Sequence, residues 1–237
     1  MPTEIMFLTY NRRGIVARCF KSLIGTLIRP NVIWSVLDNG STDGTAEWLL
    51  NLHHTLDCAN FKLYLSTTNL GVSGGRDFLL KRSVGKTLVF ADSDIYSVRD
   101  DWLDRLTKPL RDKSIGLCGP GGHWITVDDK GNWNWFDAVP QGYAGAVDCV
   151  SGFLQAFRRN AIEGFEMDLA YGRYWLEDTD TCLWIKNAGY KVWCTADIGI
   201  RHIYSNSAGD SSGPEKMKYM SSKWAGKKLI RAETEHV

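Results

Sequence analysis

The stretch that decides the fold is residues 31–45, NVIWSVLDNGSTDGT. Its first part, Asn31–Leu37, is rich in apolar and β-branched residues and predicts a buried strand. Its second part, Asp38–Thr45, consists of turn-forming residues whose Ser, Thr and Asp side chains can cap a helix. Trp48 and Leu52 lie at the spacing of an apolar helix face directly afterwards. A strand, a polar turn and a helix in this order are typical of an α/β fold.

The same alternation of strands and helices continues on both sides of this stretch. Further strands are predicted over Ile5–Thr9, Lys62–Leu65 and Lys86–Ala91, and helices over residues 14–28 and 73–83. Because the strands alternate with helices, we expect right-handed βαβ connections. The sequence therefore predicts a Rossmann-like, mostly parallel sheet with helices on both faces.

The second half of the chain predicts a smaller antiparallel region. Trp124–Val127 and Trp133–Phe136 flank a turn that contains Gly131, as in a β-hairpin. A further strand is predicted over Val147–Phe157 and a further helix over Asp178–Ala188.

The composition excludes several classes of protein. The chain has 237 residues, of which 44% are hydrophobic and 23% charged, and this excludes wholesale disorder and fibrous repeats. The net charge of +1 does not indicate a protein that binds mainly by covering phosphates. The six cysteines form no CxxC pair, which favours buried reduced thiols over a zinc site. No signal-peptide pattern or apolar stretch of about 20 residues is present, so a soluble, cytoplasmic protein is expected.

Polar residues follow three of the predicted strands. The first strand continues into Thr9–Arg12, the second into Asp38–Ser41, and the fourth into Asp92-Ser93-Asp94. Open parallel sheets bind ligands at the carboxyl ends of their strands, so these residues should meet at one edge. Asp92 and Asp94 form an Asp-x-Asp (DXD) motif, whose two carboxylates suit Mg²⁺ or Mn²⁺ together with substrate phosphates. A capped turn with two solvated acids is the alternative interpretation.

Two polar segments of the second half are further candidates. Glu177, Asp178 and Asp180 open a predicted helix, where the helix dipole alone explains part of the acidic character. The functional interpretation is that one carboxylate acts as a general base. His202 ends a short predicted strand, and a ligand role and a structural role are equally supported there.

Other common nucleotide-binding motifs are absent. The run around Gly85 lacks the first glycine of a phosphate loop, and Gly71–Gly75 lacks the GxGxxG spacing. The latter glycines do permit close approach of an anion to a helix start, where Arg76 would add a positive charge.

In their order and spacing these motifs resemble family 2 glycosyltransferases, which have the GT-A fold. The resemblance spans about residues 3–207 and rests on six segments: TYNR at 9–12, DNGSTDGT at 38–45, NLGVSGGR at 69–76, DSD at 92–94, WLED at 175–178 and HIYS at 202–205. It implies inverting transfer of a hexosyl group from a nucleotide-diphosphate sugar, with a UDP-sugar as the expected donor and Mn²⁺ or Mg²⁺ as cofactor. The chain would divide into a nucleotide-sugar-binding half (1–115), a metal- and acceptor-binding half of the same domain (116–207) and a basic C-terminal helix or tail (208–237).

The resemblance also implies roles for individual residues. Asp94 and His202, together with Asp92, would hold the metal. Asp178 would be the catalytic base and Glu177 its support. The residues implied in binding the nucleotide sugar are Thr9, Asn11, Arg12, Asp38, Asn39, Gly71, Arg76, Asp92 and Ser93, with Asp38 on the base.

The acceptor is less well defined by the sequence. Trp133, Trp135 and Trp175 can form a stacking surface for a sugar, although a nucleobase would stack equally well. A glycan, a lipid-linked saccharide, a protein and modified DNA are all compatible acceptors, and the near-neutral charge disfavours DNA. The chain stops soon after the fold closes, without the membrane helices of processive synthases, so addition of a single sugar is expected.

Two rival functions remain open. A nucleotidyltransferase would need a Gly-rich loop with Arg and Lys directly after the first strand, where only Thr9–Arg12 stands. A non-catalytic nucleotide-sugar-binding domain would not require acids at positions 92, 94 and 178.

Overall fold

The computed structural model describes residues 2–56, 58–127, 133–173, 175–203 and 213–227. Within these residues the strands are β1 (Thr3–Thr9), β2 (Val32–Asp38), β3 (Phe61–Leu65), β4 (Thr87–Asp92), β5 (Ile95–Ser97), β6 (Ile115–Gly119), β7 (Gly122–Val127), β8 (Trp133–Ala138), β9 (Gly145–Val147), β10 (Cys149–Val150), β11 (Leu154–Arg158), β12 (Lys191–Cys194) and β13 (Ile200–His202). The α-helices are α1 (Arg13–Leu27), α2 (Thr45–Leu56), α3 (Gly71–Arg82), α4 (Trp102–Thr107), α5 (Glu177–Asn187) and α6 (Gly213–Trp224).

The central sheet has eight strands in the order β3-β2-β1-β4-β11-β6-β12-β9. The four strands from β3 to β4 are parallel, as the alternation of strands and helices predicts. β11 then inserts antiparallel between β4 and β6, while β12 runs parallel to β6. The predicted α/β fold is confirmed, and strands from both halves of the chain share this one sheet.

Helices cover both faces of the sheet, because the buried strands are apolar on both sides. In β1, Ile5 and Phe7 belong to the core cluster that also contains residues of α1, α2 and α4. Met6 points the opposite way, into the cluster that contains residues of α3 and α5. This alternation follows from the period of two in a strand.

The predicted hairpin is confirmed as β7 and β8, which pair antiparallel and align Ile125 with Phe136. β10 joins them in a three-stranded sheet beside the main one. The predicted turn around Gly131 lies outside the described residues.

One strand prediction in the second half is wrong. The stretch Val147–Phe157 forms three short strands, β9, β10 and β11, with three different sets of neighbours. The chain leaves the β10 pairing at Ser151, which lies between β10 and β11 and donates its backbone N–H to the Pro120 carbonyl at 3.0 Å. A run of apolar residues does not reveal such a change of partner.

The C-terminal helix α6 packs against α5 through both apolar and polar contacts. Asp180, 1% exposed, accepts hydrogen bonds from the Tyr171 hydroxyl at 3.1 Å and from Trp224 Nε1 at 2.8 Å. Lys223 Nζ lies 2.8 Å from the second Asp180 oxygen, so the buried charge is paired. Asp180 therefore anchors α6.

No helix in the described part of the chain has the length and apolar character needed to cross a membrane.

All six cysteines fall within the described residues, and none forms a disulfide. Five of them are buried, as the sequence predicts for reduced structural thiols. Burial raises the pKa of the Cys182 thiol to about 12, which keeps it protonated and unreactive.

Candidate active site

The ends of β1 and β2 bring two buried polar side chains together. Parallel register pairs Thr9 with Asp38, and each side chain is about 1% exposed. Asp38 Oδ2 accepts the Ser41 N–H at 2.9 Å, whereas among the described residues neither Asp38 Oδ1 nor Thr9 Oγ1 has a hydrogen-bond partner. A buried polar atom without a partner is costly unless a ligand or water satisfies it. These two oxygens therefore mark a place for a polar group of a ligand.

The loops after β1 and β2 hold each other in place. The Asn11 N–H donates to Ser41 Oγ at 2.7 Å, and Asn11 Oδ1 accepts the Thr42 N–H at 2.8 Å. Asn11 and Arg12 both have left-handed backbones, with φ of 57° and 62°. Such a conformation is costly for residues other than glycine, so the hydrogen bonds across the two loops stabilise it.

Asn39 connects the β2 loop to the loop before α3. Its Nδ2 donates to Asn69 Oδ1 and to the Gly71 carbonyl, each at 3.1 Å, and its Oδ1 accepts the Leu70 N–H at 3.0 Å. The amide is thus used to shape the loop, and a direct contact with a nucleotide stays a prediction for this residue.

The start of α3 is packed against the loop that leads into α5. Gly71 has φ of 72°, and a Cβ atom there would lie 3.1 Å from the Gly172 carbonyl oxygen. The Val72 N–H donates to the Arg173 carbonyl at 2.8 Å. A glycine is needed at position 71 for both its backbone conformation and this close approach.

Asp92, Asp94 and His202 form a candidate metal centre, with one ligand atom of each within 4.8 Å of the others. Asp92 ends β4, and Ser93 lies in the turn between the two acids. The antiparallel pairing of β13 with β5 aligns His202 with Ile95, so that His202 Nε2 lies 3.0 Å from Asp94 Oδ1. Two carboxylates and an imidazole are a donor set that fits Mn²⁺ and also Mg²⁺.

Positive charge lies close to these acids. Arg12 Nη1 is 3.8 Å from Asp94 Oδ2. The hydrogen bond to Asp94, together with the charges of Asp94 and Asp92, raises the pKa of His202. The His202 imidazole and the Arg12 guanidinium therefore both lie against the Asp94 carboxylate.

Arg76 connects Asp92 to the start of α5. Its Nη2 donates to Asp92 Oδ1 at 2.9 Å and to the Gly152 carbonyl at 2.8 Å, and its Nη1 is 3.5 Å from Glu177 Oε1. Only 3% of its side chain is exposed. Arg76 therefore lies behind Asp92 as its counterion, and direct contact with a ribose or phosphate stays a prediction.

Two acids at the start of α5 occupy different environments. Glu177 is 6% exposed, and burial and the charge of Asp178 raise the pKa of its carboxyl to about 7. Asp178 is only half-buried, and its Oδ1 accepts the Thr179 N–H at 2.8 Å. The preceding residues Trp175 and Leu176 have φ of 85° and 72°, a costly backbone that fixes how the helix begins. The accessible carboxylate is thus Asp178, and the buried one is Glu177.

The residues expected on the acceptor side are only partly described. Trp175 is 36% exposed, and a Cβ atom on Gly213 of α6 would lie 2.8 Å from its indole ring. The side chains of Trp133 and Trp135 lie outside the described part of the structure.

Sequence reasoning missed two residues of this site, Gly152 and Phe153. Gly152 receives the Arg76 hydrogen bond, and the Phe153 carbonyl accepts the Asp92 N–H at 3.0 Å. Both fall inside the wrongly predicted strand, and their partners lie at least 60 positions away along the chain, so no local pattern reveals them.

The sheet, its partly antiparallel second half and the acids at the strand ends define a GT-A type of protein. A family model described as glycosyl transferase family 2 matches residues 5–165. The chain belongs to this family, as its motifs predict. No curated protein matches the chain.

Several solved structures have the same fold as this chain. The mannosyltransferase PcManGT from Pyrobaculum calidifontis, in complex with GDP-Man and Mn²⁺, is 19% identical with a TM-score of 0.69, covering 86% of this chain and 58% of its own. GalNAc-T7 with UDP, GalNAc and Mn²⁺ is 15% identical with a TM-score of 0.72, covering 95% of this chain and 48% of its own. Residues 1–349 of S. aureus TarS are 17% identical with a TM-score of 0.61, covering 83% of this chain and 58% of that one. This chain therefore spans about half the length of these relatives.

Proposed function

We propose that this protein transfers a sugar from a UDP-sugar to an acceptor hydroxyl, with inversion and one sugar per cycle, and requires a divalent cation. The observation that carries the proposal is the candidate metal centre of Asp92, Asp94 and His202, connected through Arg76 to the acids that begin α5. The metal- and nucleotide-bound relatives PcManGT and GalNAc-T7 support a nucleotide-diphosphate donor.

The ends of β1 and β2 would bind the nucleoside. Asp38 Oδ1 is an acceptor without a partner among the described residues, and the ring N–H of uracil is a donor that would satisfy it. The Thr9 hydroxyl beside it can either donate or accept. Because Asp38 is buried, this contact favours a base with a ring N–H over one without.

Asp94 and His202, with Asp92, would hold the cation. When bound, Mn²⁺ or Mg²⁺ supplies charge that stabilises the diphosphate as it leaves. The Arg12 guanidinium, 44% exposed beside Asp94, adds a second positive charge on the protein side. Both features favour departure of a nucleoside diphosphate.

Asp178 would act as the general base. Its carboxylate removes the proton of the acceptor hydroxyl, whose oxygen forms a bond to the anomeric carbon while the bond from that carbon to the diphosphate oxygen breaks. The bonding electron pair leaves with the nucleoside diphosphate, and a single in-line displacement inverts the configuration. Glu177 would support the base from its buried position beside Arg76.

Trp133, Trp135 and Trp175 would contact the acceptor. We expect a glycan or a lipid-linked saccharide, with modified DNA as the less favoured alternative. Replacing Trp133 or Trp135 by Ala should lower transfer about tenfold and leave donor hydrolysis unchanged, since a lost stacking face costs about 1–3 kcal/mol. A collapsed melting transition would instead show that these residues belong to the core.

The proposed function is tested by calorimetric titration of UDP, GDP, CDP and ADP with Mn²⁺ and with a chelator. Tight, Mn²⁺-dependent binding of UDP and slow release of UDP from one of a panel of UDP-sugars are expected. Preferred binding of GDP would overturn the uridine assignment alone. Release of pyrophosphate from UTP and a sugar phosphate would favour the rival nucleotidyltransferase. Binding of a UDP-sugar without any turnover would favour a non-catalytic domain.

A further inference from the structure

We propose that Gly152 and Phe153 are positioning residues that align the candidate metal centre with the catalytic base. The inference rests on the proposed function and assigns a role to two residues that have no functional group of their own. Phe153 contacts the metal side of the candidate site, and Gly152 lies against Asp178 and bonds the arginine, Arg76, that pairs with Asp92.

Phe153 contacts two of the three candidate metal ligands. Its carbonyl accepts the Asp92 N–H at 3.0 Å, which fixes the end of β4. Its ring stacks on the imidazole of His202, with centroids 4.6 Å apart and an angle of only 9° between the planes. One residue thus holds ligands that come from distant parts of the chain.

The stack matters because His202 is carried on the short strand β13, 108 positions after Asp94. An imidazole can bind a cation only if its ring plane points the nitrogen at the ion. A parallel aromatic ring against its face restricts rotation of the imidazole and keeps Nε2 directed at Asp94. Groups that orient metal ligands in this way contribute substantially to metal affinity.

Gly152 contacts the other side of the site. Its carbonyl accepts the hydrogen bond from Arg76 Nη2, the same nitrogen that bonds Asp92. A Cβ atom at position 152 would lie 2.6 Å from Asp178 Oδ2 and 2.7 Å from Asp178 Cβ. Only glycine leaves the Asp178 side chain in this position.

Because the two residues are adjacent, the backbone between them fixes the spacing of the two parts of the site. A shift of Phe153 would disturb Asp92 and His202, and a shift of Gly152 would disturb Arg76 and Asp178. The break between β10 and β11, which interrupts the predicted strand, therefore contains the two positioning residues.

The role of Phe153 is tested by measuring binding of Mn²⁺ alone to the full chain by electron paramagnetic resonance. Phe153→Leu should bind Mn²⁺ about tenfold more weakly, as for the loss of other groups that orient metal ligands. Phe153→Tyr keeps the ring and should stay within about twofold of the parent. The control is Phe157→Leu, which removes a fully buried ring of the following strand β11 that packs at a tilt against Phe90.

The outcomes are distinguishable. If Phe153→Leu binds Mn²⁺ like the parent, or if Phe157→Leu weakens binding equally, the positioning role of Phe153 is wrong while the proposed function stands. If the parent itself binds no Mn²⁺, the proposed metal centre and this inference both fail.

The role of Gly152 is tested by Gly152→Ala, with Gly14→Ala as the control because a Cβ atom there meets nothing within 4 Å. Gly152→Ala should lower kcat at least about tenfold, while Mn²⁺ affinity and KM for the donor change less than about twofold. An unchanged kcat, or an equal loss in Gly14→Ala, would contradict the role of Gly152. If Gly152→Ala does not fold, the Phe153 variants decide the inference.

Discussion

The two edges of the candidate site differ in how their polar groups are satisfied. At the nucleoside edge, formed by the ends of β1 and β2, Thr9 Oγ1 and Asp38 Oδ1 are buried without a partner among the described residues. At the acid edge, formed by β4, β13 and the start of α5, each candidate metal ligand already has a partner. Asp92 pairs with Arg76, and Asp94 pairs with both His202 and Arg12.

This difference separates two kinds of binding. A neutral base can satisfy the nucleoside edge without displacing any protein contact. A cation at the acid edge has to replace the proton and hydrogen bond that connect His202 with Asp94. Nucleoside binding should therefore be independent of metal, and diphosphate binding should depend on it. The predictions below test this separation.

The largest effect is expected for Asp178, the proposed general base. Asp178→Asn keeps the size of the side chain but cannot take up the proton, so kcat should fall about 10²–10⁴-fold. Affinity for the donor should be nearly unchanged, because Asp178 is neither a candidate metal ligand nor one of the two buried groups of the nucleoside edge. Steady-state kinetics with Glu177→Gln as the control should show a smaller loss of kcat for the control. If Asp178→Asn turns over like the parent at every pH, the assignment of Asp178 is wrong and Glu177 becomes the candidate base.

The next effect concerns the acid edge. Asp94→Ala removes a charged ligand and should lower affinity for UDP in Mn²⁺ about 10–100-fold, to the level of the parent in chelator. Asp104→Ala is the control, since Asp104 is a 69% exposed carboxylate paired only with Arg29 among the described residues. Calorimetry measures both. If the parent binds UDP equally well with and without metal, diphosphate binding does not depend on the metal and the proposed difference between the two edges is wrong.

A smaller effect is expected at the nucleoside edge. In Asp38→Asn one of the two oxygens becomes an NH₂ group, so either the Ser41 N–H or the base N–H loses its acceptor. Uridine should bind about tenfold more weakly, which corresponds to one lost hydrogen bond. The loss should be the same in Mn²⁺ and in chelator, as measured by titration of the nucleoside. A loss seen only with metal would mean that Asp38 belongs to the acid edge.

The nucleoside edge was largely predictable from the sequence. β1, β2 and β4 are parallel neighbours, so the residues after each strand meet at one edge, and the register that pairs Thr9 with Asp38 follows from this topology. The sequence could not predict that Asn39 is used to shape the 69–71 loop, because its partners are about 30 positions away.

The acid edge was predicted only as separate motifs. The acids at 92, 94 and 178 stand out locally, but their connection through Arg76, Gly152 and Phe153 depends on the antiparallel insertion of β11 next to β4. Periodicity gives a continuous apolar stretch over Val147–Phe157 and cannot show where the chain changes its neighbours. The glycine at position 152 is needed because of a side chain 26 residues further on.

The smallest effect on binding and turnover is expected for Glu177, whose contribution to stability depends on pH. Its pKa is raised from 4.5 to about 7 by burial and by Asp178, so the folded protein keeps the proton over a range where the unfolded chain has lost it. The protonated Glu177 costs the folded state nothing below about pH 4.5, whereas ionisation of the buried carboxyl lowers the free energy of unfolding as pH rises to about 7. Glu177→Gln is uncharged at every pH, so its free energy of unfolding lacks the pH dependence that Glu177 contributes. Urea unfolding of both proteins between pH 5 and 8 should show the parent losing stability relative to the variant up to about pH 7, with a constant difference above it. A difference that does not change with pH would mean that Glu177 stays ionised beside Arg76 over this range, and that burial and Asp178 do not raise its pKa.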